Sequence, residues 1–165
     1  QMLELNGPSY MRTTRNKVPR VYEDGEKLRI GEGSVLREGD DLAIFSCGVM
    51  VGEAMAASDI LSAEGIECTV VDMHTIKPLD EKLISKLAAR CGCFVSAEDH
   101  SVVGGLGGAI SEWIAANILV PLEMVGVKDK FGQSGEPAEL MEMMGLTGSD
   151  ICKAARRSLE RKNRP

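Results

Sequence analysis

The sequence predicts an α/β fold, a three-layer α/β/α sandwich built on a mainly parallel five-stranded sheet. Three observations carry that expectation. From Asp41 onward, short apolar runs alternate with amphipathic helical stretches. Crossovers through helices of about 10 to 15 residues are right-handed and make neighbouring strands parallel. The strand segments are apolar along most of their length, as strands covered on both faces are.

Taken in order, Leu42-Ala43-Ile44-Phe45-Ser46-Cys47 reads as a buried strand, and Gly48 opens the turn into a helix near Met50 to Glu64, rich in Ala and Met. Gly65 is a natural helix stop. A second strand, Ile66 to Asp72, leads through His74-Thr75-Ile76-Lys77-Pro78-Leu79 to a helix that Asp80 can cap and that runs to about Arg90. The third strand is Cys93 to Glu98, followed by a glycine cluster and a helix near Gly107 to Asn117. Pro121 to Val127 is the fourth. Two short helices close the chain, near Pro137 to Met144 and from Ser149 to about Lys162. A fifth strand, at the edge, is expected from the weaker segment before Asp40.

Residues 1–39 have a different texture. Tyr10-Met11-Arg12-Thr13-Thr14-Arg15 alternates like a strand but has no βαβ partner ahead of it, and Val18 to Gly39 is polar and glycine-punctuated, a linker with room for a hairpin. The chain therefore divides into 1–39, the end strand of a preceding domain plus linker, and 40–165, the α/β domain. With 165 residues it holds one domain and an appendage.

Composition is globular, with 44% hydrophobic and 27% charged residues and a mean hydropathy near zero. No apolar run approaches the roughly 20 residues of a membrane span, and Gln1-Met2-Leu3-Glu4-Leu5 has no basic stretch leading into an apolar one, so no membrane role and a cytoplasmic location are expected. A net charge of −6 and a pI near 5.0 disfavour nucleic acid as a partner. The basic residues are nevertheless gathered, at Arg12, Arg15, Lys17 and Arg20 in front and Arg156, Arg157, Arg161, Lys162 and Arg164 behind. Five cysteines form an odd set that fits reduced thiols. Cys91-Gly92-Cys93 lacks a second pair and the two histidines lie far apart, so no metal site is expected.

The cluster Gly104-Gly105-Leu106-Gly107-Gly108 follows a strand and opens a helix, where a phosphate loop would sit. Its spacing fails the dinucleotide pattern at Ile110 and no Gly-Lys-Ser/Thr follows, so the glycines are expected to permit close approach to a neighbouring element. Glu98-Asp99-His100 ends the third strand, at the edge where open α/β sheets bind ligands. Adjacent strand residues point to opposite faces, and no motif places a nucleophile. Glu98, Asp99, His100, Gly104 and Gly105 are therefore expected to form an interface or loop cluster, with no catalytic residue among them. His74 reads as a surface or capping residue, and Met141, Met143 and Met144 as helix core. Arg12 and Arg15 could turn toward one anion if the chain bends between them; a solvated basic face is the plainer reading.

Four segments together resemble the carboxy-terminal part of transketolases: Gly7-Pro8-Ser9-Tyr10-Met11-Arg12-Thr13-Thr14-Arg15, Thr75-Ile76-Lys77-Pro78-Leu79-Asp80, Ala97-Glu98-Asp99-His100 with its glycines, and Ser134-Gly135-Glu136-Pro137-Ala138-Glu139-Leu140. Their order and spacing cover nearly the whole chain. Similar families are 1-deoxyxylulose-5-phosphate synthases and the beta subunits of 2-oxo acid dehydrogenases; the Ile-Lys-Pro-Leu-Asp and Glu-Asp-His forms favour transketolase.

The resemblance implies the last strand of a pyrimidine-binding domain, a linker and a transketolase C-terminal domain. Enzymes of the family bind thiamine diphosphate and a divalent metal such as Mg between pyrophosphate- and pyrimidine-binding domains at a dimer interface, and move a two-carbon ketol unit between sugar phosphates. The pyrophosphate domain's Gly-Asp-Gly…Asn motif and the pyrimidine domain's glutamate are absent from this sequence, so the chain alone is expected to bind no cofactor and to be inactive. The implied partners are those missing domains or a subunit carrying them, a second copy in a homodimer, and a sugar phosphate substrate. The family's substrate-phosphate arginine falls on Arg15, with Arg12 beside it as a weaker candidate. Two other readings stand beside this one: part of a 2-oxo acid dehydrogenase beta subunit, and a non-catalytic regulatory or assembly module.

Overall fold

The computed structural model describes residues 1–14 and 17–164. Five strands form one sheet: β1 (Ser34–Arg37), β2 (Leu42–Ser46), β3 (Cys68–Asp72), β4 (Phe94–Ser101) and β5 (Leu122–Val127), in the order β1-β3-β2-β4-β5. The helices are α1 (Met50–Ala63), α2 (Glu81–Cys91), α3 (Leu106–Asn117), α4 (Pro137–Met144) and α5 (Gly148–Lys162). β2 to β5 pair in parallel, and β1 runs antiparallel along β3 with Ser34 opposite Asp72.

Register explains the three layers. β2 is fully buried, and its side chains alternate: Leu42 and Ile44 join a core with Met50, Ala54, Ala57 and Leu61 of α1 and Ile151, Ala154 and Ala155 of α5. Ala43 and Phe45 face the other way, toward Ile84, Leu87 and Cys91 of α2 and Leu106, Ile110 and Ile114 of α3. Phe45 meets Phe94 edge-on, with ring centroids 5.0 Å apart. The buried positions of α1 fall at 50, 51, 54, 57, 58 and 61, a single helical stripe facing the sheet. Asp80 caps α2 as expected, accepting from the Leu83 amide at 3.0 Å. Thr147 and Asp150 close a capping box at the start of α5.

The fifth strand lies where the weak segment before Asp40 predicted it. Gly39, just beyond β1, could not carry a side chain, since a Cβ there would stand 2.5 Å from the Glu67 carbonyl carbon. Three expectations are corrected. Residues 10–14 are not a strand: their alternation alone does not make one, since a strand exists only as part of a hydrogen-bonded ladder. The linker holds no hairpin; its only strand, β1, pairs with β3 instead. Met143 is half-exposed while Met141 and Met144 pack on the core, because residues 141 and 144 share a helix face and 143 lies across from it.

Candidate functional site

The parallel strands all end at one edge of the sheet, presenting Cys47 after β2, His74 beyond β3, and Glu98 to Ser101 on β4. β2 and β4 are neighbours, but the chain leaves β2 into α1 on one face and β4 into α3 on the other. That divergence opens the crevice in which open α/β sheets bind ligands.

Glu98 is 1% exposed and sits on the start of α3. Its Oε2 accepts the Leu106 amide at 2.8 Å and its Oε1 the Gly107 amide at 2.9 Å. The carboxylate thus takes the first free N–H groups of the helix and lies at the positive end of its dipole, the position a phosphate would need. The glycines make room for it. A Cβ on Gly105 would stand 1.9 Å from Glu98 Oε2, one on Gly107 would stand 2.7 Å from Met124 Sδ and from Ser96 Oγ, and Gly104 turns the chain at φ +75°. The cluster therefore allows close packing, as its spacing predicted. It does not fit a diphosphate, whose oxygens would meet the Glu98 carboxylate. Among the described residues no group of three His, Cys, Asp or Glu side chains is placed to hold a metal ion.

Asp99 points away from Glu98, out over the β2–α1 turn. Its Oδ1 is 2.6 Å from Arg12 Nη2, Arg12 Nη1 reaches the Asp99 carbonyl at 3.5 Å, and a Cβ on Gly48 would lie 3.5 Å from the same Oδ1. His100 joins neither group: it is exposed and its Nδ1 lies 3.1 Å from its neighbour's carbonyl, that of Ser101. β4 runs on through Asp99 and His100 to Ser101, further than expected, because Ser101 pairs with Val127 beyond an irregularity in the ladder. Arg15 lies outside the described residues.

The arm ahead of the domain crosses this edge. After Arg12 on Asp99, Pro19 covers Gly52, where a Cβ would be 3.3 Å from its Cγ, and the Tyr22 hydroxyl donates to Asp72 Oδ2 at 2.6 Å. Asp72 is 6% exposed, and burial pushes its carboxyl above the usual carboxylate range while the Tyr22 hydrogen bond draws it back. Burial, then the Asp72 hydrogen bond, pushes the Tyr22 phenol up in turn. Asp72 Oδ1 and His74 Nε2 are buried without a hydrogen-bond partner among the described residues. His74 is thus half-buried rather than the surface residue expected. Burial, then Glu98, Asp99 and Asp72, pushes the Cys47 thiol up to about 12, which makes it a poor nucleophile.

Sequence reasoning missed Tyr22 and Asp72. The available signals were a carboxylate closing an otherwise buried strand, Cys68 to Asp72, and a tyrosine inside a polar linker.

The family model described as the transketolase C-terminal domain matches residues 31–151. The chain is 42% identical over 163 residues to a 6-deoxy-6-sulfo-D-fructose transketolase subunit of Clostridium sp. strain MSTE9, covering 99% of this chain and 51% of that protein. It is 41% identical over 152 residues to the 1-deoxy-D-xylulose-5-phosphate synthase of Microcystis aeruginosa strain NIES-843, covering 90% of this chain and 24% of that protein. A solved structure of a split-gene transketolase, an inactive β4 tetramer, superposes with a TM-score of 0.87 at 41% identity over 90% of this chain and 49% of its own. The chain thus spans about half the length of the first of these relatives, or less. By its matched core, the order of its strands and its likeness to these proteins, this chain belongs to the transketolase C-terminal domain family.

Proposed function

We propose that this chain is the carboxy-terminal section of a thiamine-diphosphate-dependent transketolase, supplying scaffold and dimer contacts to a site completed by pyrophosphate- and pyrimidine-binding domains. The reaction would be transfer of a two-carbon ketol unit between sugar phosphates. The observation that carries this reading is Glu98 on the start of α3: the one glycine-rich helix start at the sheet's crevice already holds the chain's own carboxylate. In this reading thiamine diphosphate and Mg are held by the other domains, and this chain's contact with substrate is Arg15. A guanidinium there would grip the sugar phosphate through two hydrogen bonds and hold the reacting end in place. The split-gene relative solved as an inactive β4 tetramer supports an assembly that needs a second kind of subunit.

Calorimetry on the isolated chain tests the assignment. No thiamine diphosphate or Mg binding is expected, with ketol transfer appearing only when the missing domains are supplied. Tight cofactor binding by residues 1–165 alone would refute it. A second reading, favoured by the Microcystis relative, is a 1-deoxy-D-xylulose-5-phosphate synthase section. Formation of that product by the completed enzyme, without ketol transfer, would select it.

A further inference from the structure

We infer that Asp99 is a positioning residue: it docks the arm that carries Arg15 onto the α/β domain by holding Arg12, and so sets affinity for the phosphate end of the substrate. The arm is anchored on both sides of position 15. Ahead of it, Arg12 Nη2 meets Asp99 Oδ1 at 2.6 Å; behind it, the Tyr22 hydroxyl meets Asp72 Oδ2 at 2.6 Å. Both carboxylates come from the carboxyl edge of the sheet, one from the end of β4 and one from the end of β3. They stand on rigid elements. Asp72 pairs with Ser46 in the ladder, and Asp99 follows Glu98, whose side chain is fixed by two helix amides.

The partnership also gives Arg12, the weaker of the two phosphate candidates by resemblance, a different role. Arg12 is engaged by a carboxylate and a carbonyl of its own chain, which makes it the arm's fastening. Phosphate binding falls to Arg15, and this part rests on the functional reading above. Asp99 would act on substrate only through the arm: loosening it lets the arm sample more positions, which weakens binding of the phosphate and leaves the reacting carbons untouched. The arm lies on the surface, with the Arg12 side chain 46% exposed and that of Asp99 27% exposed, so the effect is modest.

The test uses the assembled enzyme with Asp99→Asn, Arg12→Gln, the double variant and Arg15→Ala. Asp99→Asn should raise KM for a phosphorylated sugar about two- to five-fold, the range an exposed ion pair supports. Its kcat, and KM for the unphosphorylated sugar, should stay at parental values. Because Asp99 acts through Arg12, adding Asp99→Asn to Arg12→Gln should change nothing further. Equal increases for both sugars, or additive effects in the double variant, would overturn the inference.

A second measurement reads docking without catalysis. In the chain by itself, tryptic cleavage after Lys17 should quicken by a similar factor in Asp99→Asn, and an unchanged rate overturns the inference on its own. If Arg15→Ala does not discriminate between the two sugars, the phosphate reading fails. The cleavage rate then decides alone whether Asp99 holds the arm.

Discussion

Removing the Glu98 side chain tests the central feature of the carboxyl edge. In Glu98→Ala the amides of Leu106 and Gly107, now 2.8 and 2.9 Å from carboxylate oxygens, lose their acceptors inside the protein. A buried donor left unsatisfied costs about 1–3 kcal/mol, and the lost charge at the helix start roughly 0.3–1 kcal/mol more. The space vacated by the carboxylate is polar and large enough for water to recover part of this, so the expected loss is about 2–4 kcal/mol. At roughly 2–4 °C per kcal/mol for a chain of this size, the midpoint of thermal unfolding, followed by circular dichroism, should fall by about 5–15 °C. Gly105→Ala supplies the control. Its Cβ would stand 1.9 Å from Glu98 Oε2 and 2.8 Å from the Ser101 carbonyl oxygen, so it should be strongly destabilising in the parent and less so beside Glu98→Ala, where the carboxylate clash is removed and only the backbone contact remains. A Glu98→Ala melt within about 1 °C of the parent, or simple additivity with Gly105→Ala, would refute the account of Glu98 as the group that terminates α3.

Two further predictions concern buried groups. With Cys47 and Cys68 both pushed up to about 12 by burial, their thiolate fraction at pH 8 is about a thousand-fold below that of an ordinary thiol. Alkylation by iodoacetamide, followed by mass spectrometry, should be slower by more than about tenfold, less than the full factor because a more basic thiolate is the better nucleophile, and a Cys47 rate equal to that of free cysteine would contradict the burial argument. Tyr22→Phe removes the one hydroxyl that draws the raised Asp72 carboxyl back toward its ordinary range, and so raises it further. A carboxyl raised in the folded state gives stability that is present below its unfolded value and lost as pH rises through the folded one. The variant should therefore be about 1–3 kcal/mol less stable at neutral pH, with the deficit narrowing as pH falls toward about 4. A deficit that stays constant across that range would show that Asp72 is not the group responsible.

How far the sequence could be read follows from which interactions are local. Leu42 to Ser46 declared itself as a strand because a parallel strand covered on both faces is apolar along most of its length, and β2 is buried throughout. Asp80 declared itself as a cap because its partner, the Leu83 amide, lies three residues away. Tyr10 to Arg15 has the alternation of a strand, but strand formation depends on a neighbour, and local pattern carries no information about whether one exists. The far end of β4 escaped for the same reason, since Ser101 belongs to the sheet only through Val127.

Glu98 and Asp99 show where local reasoning stops. The two-residue period of a strand correctly sends them to opposite sides, and it gives no sign of what waits there. Glu98 turns inward because the start of α3 offers two unpaired amides eight and nine residues downstream and the glycines leave no side chain in the way. Asp99 turns outward, where Arg12, 87 residues earlier, supplies a counter-charge. Two acidic residues with nearly the same chemistry thus take different work: one accepts the free amides at the start of α3, and the other holds Arg12 of the arm. The distinction is set by backbone groups and a cation that only the folded chain brings together, which is why Asp99, exposed enough to substitute without opening the core, is the residue at which the arm can be loosened while α3 stays intact.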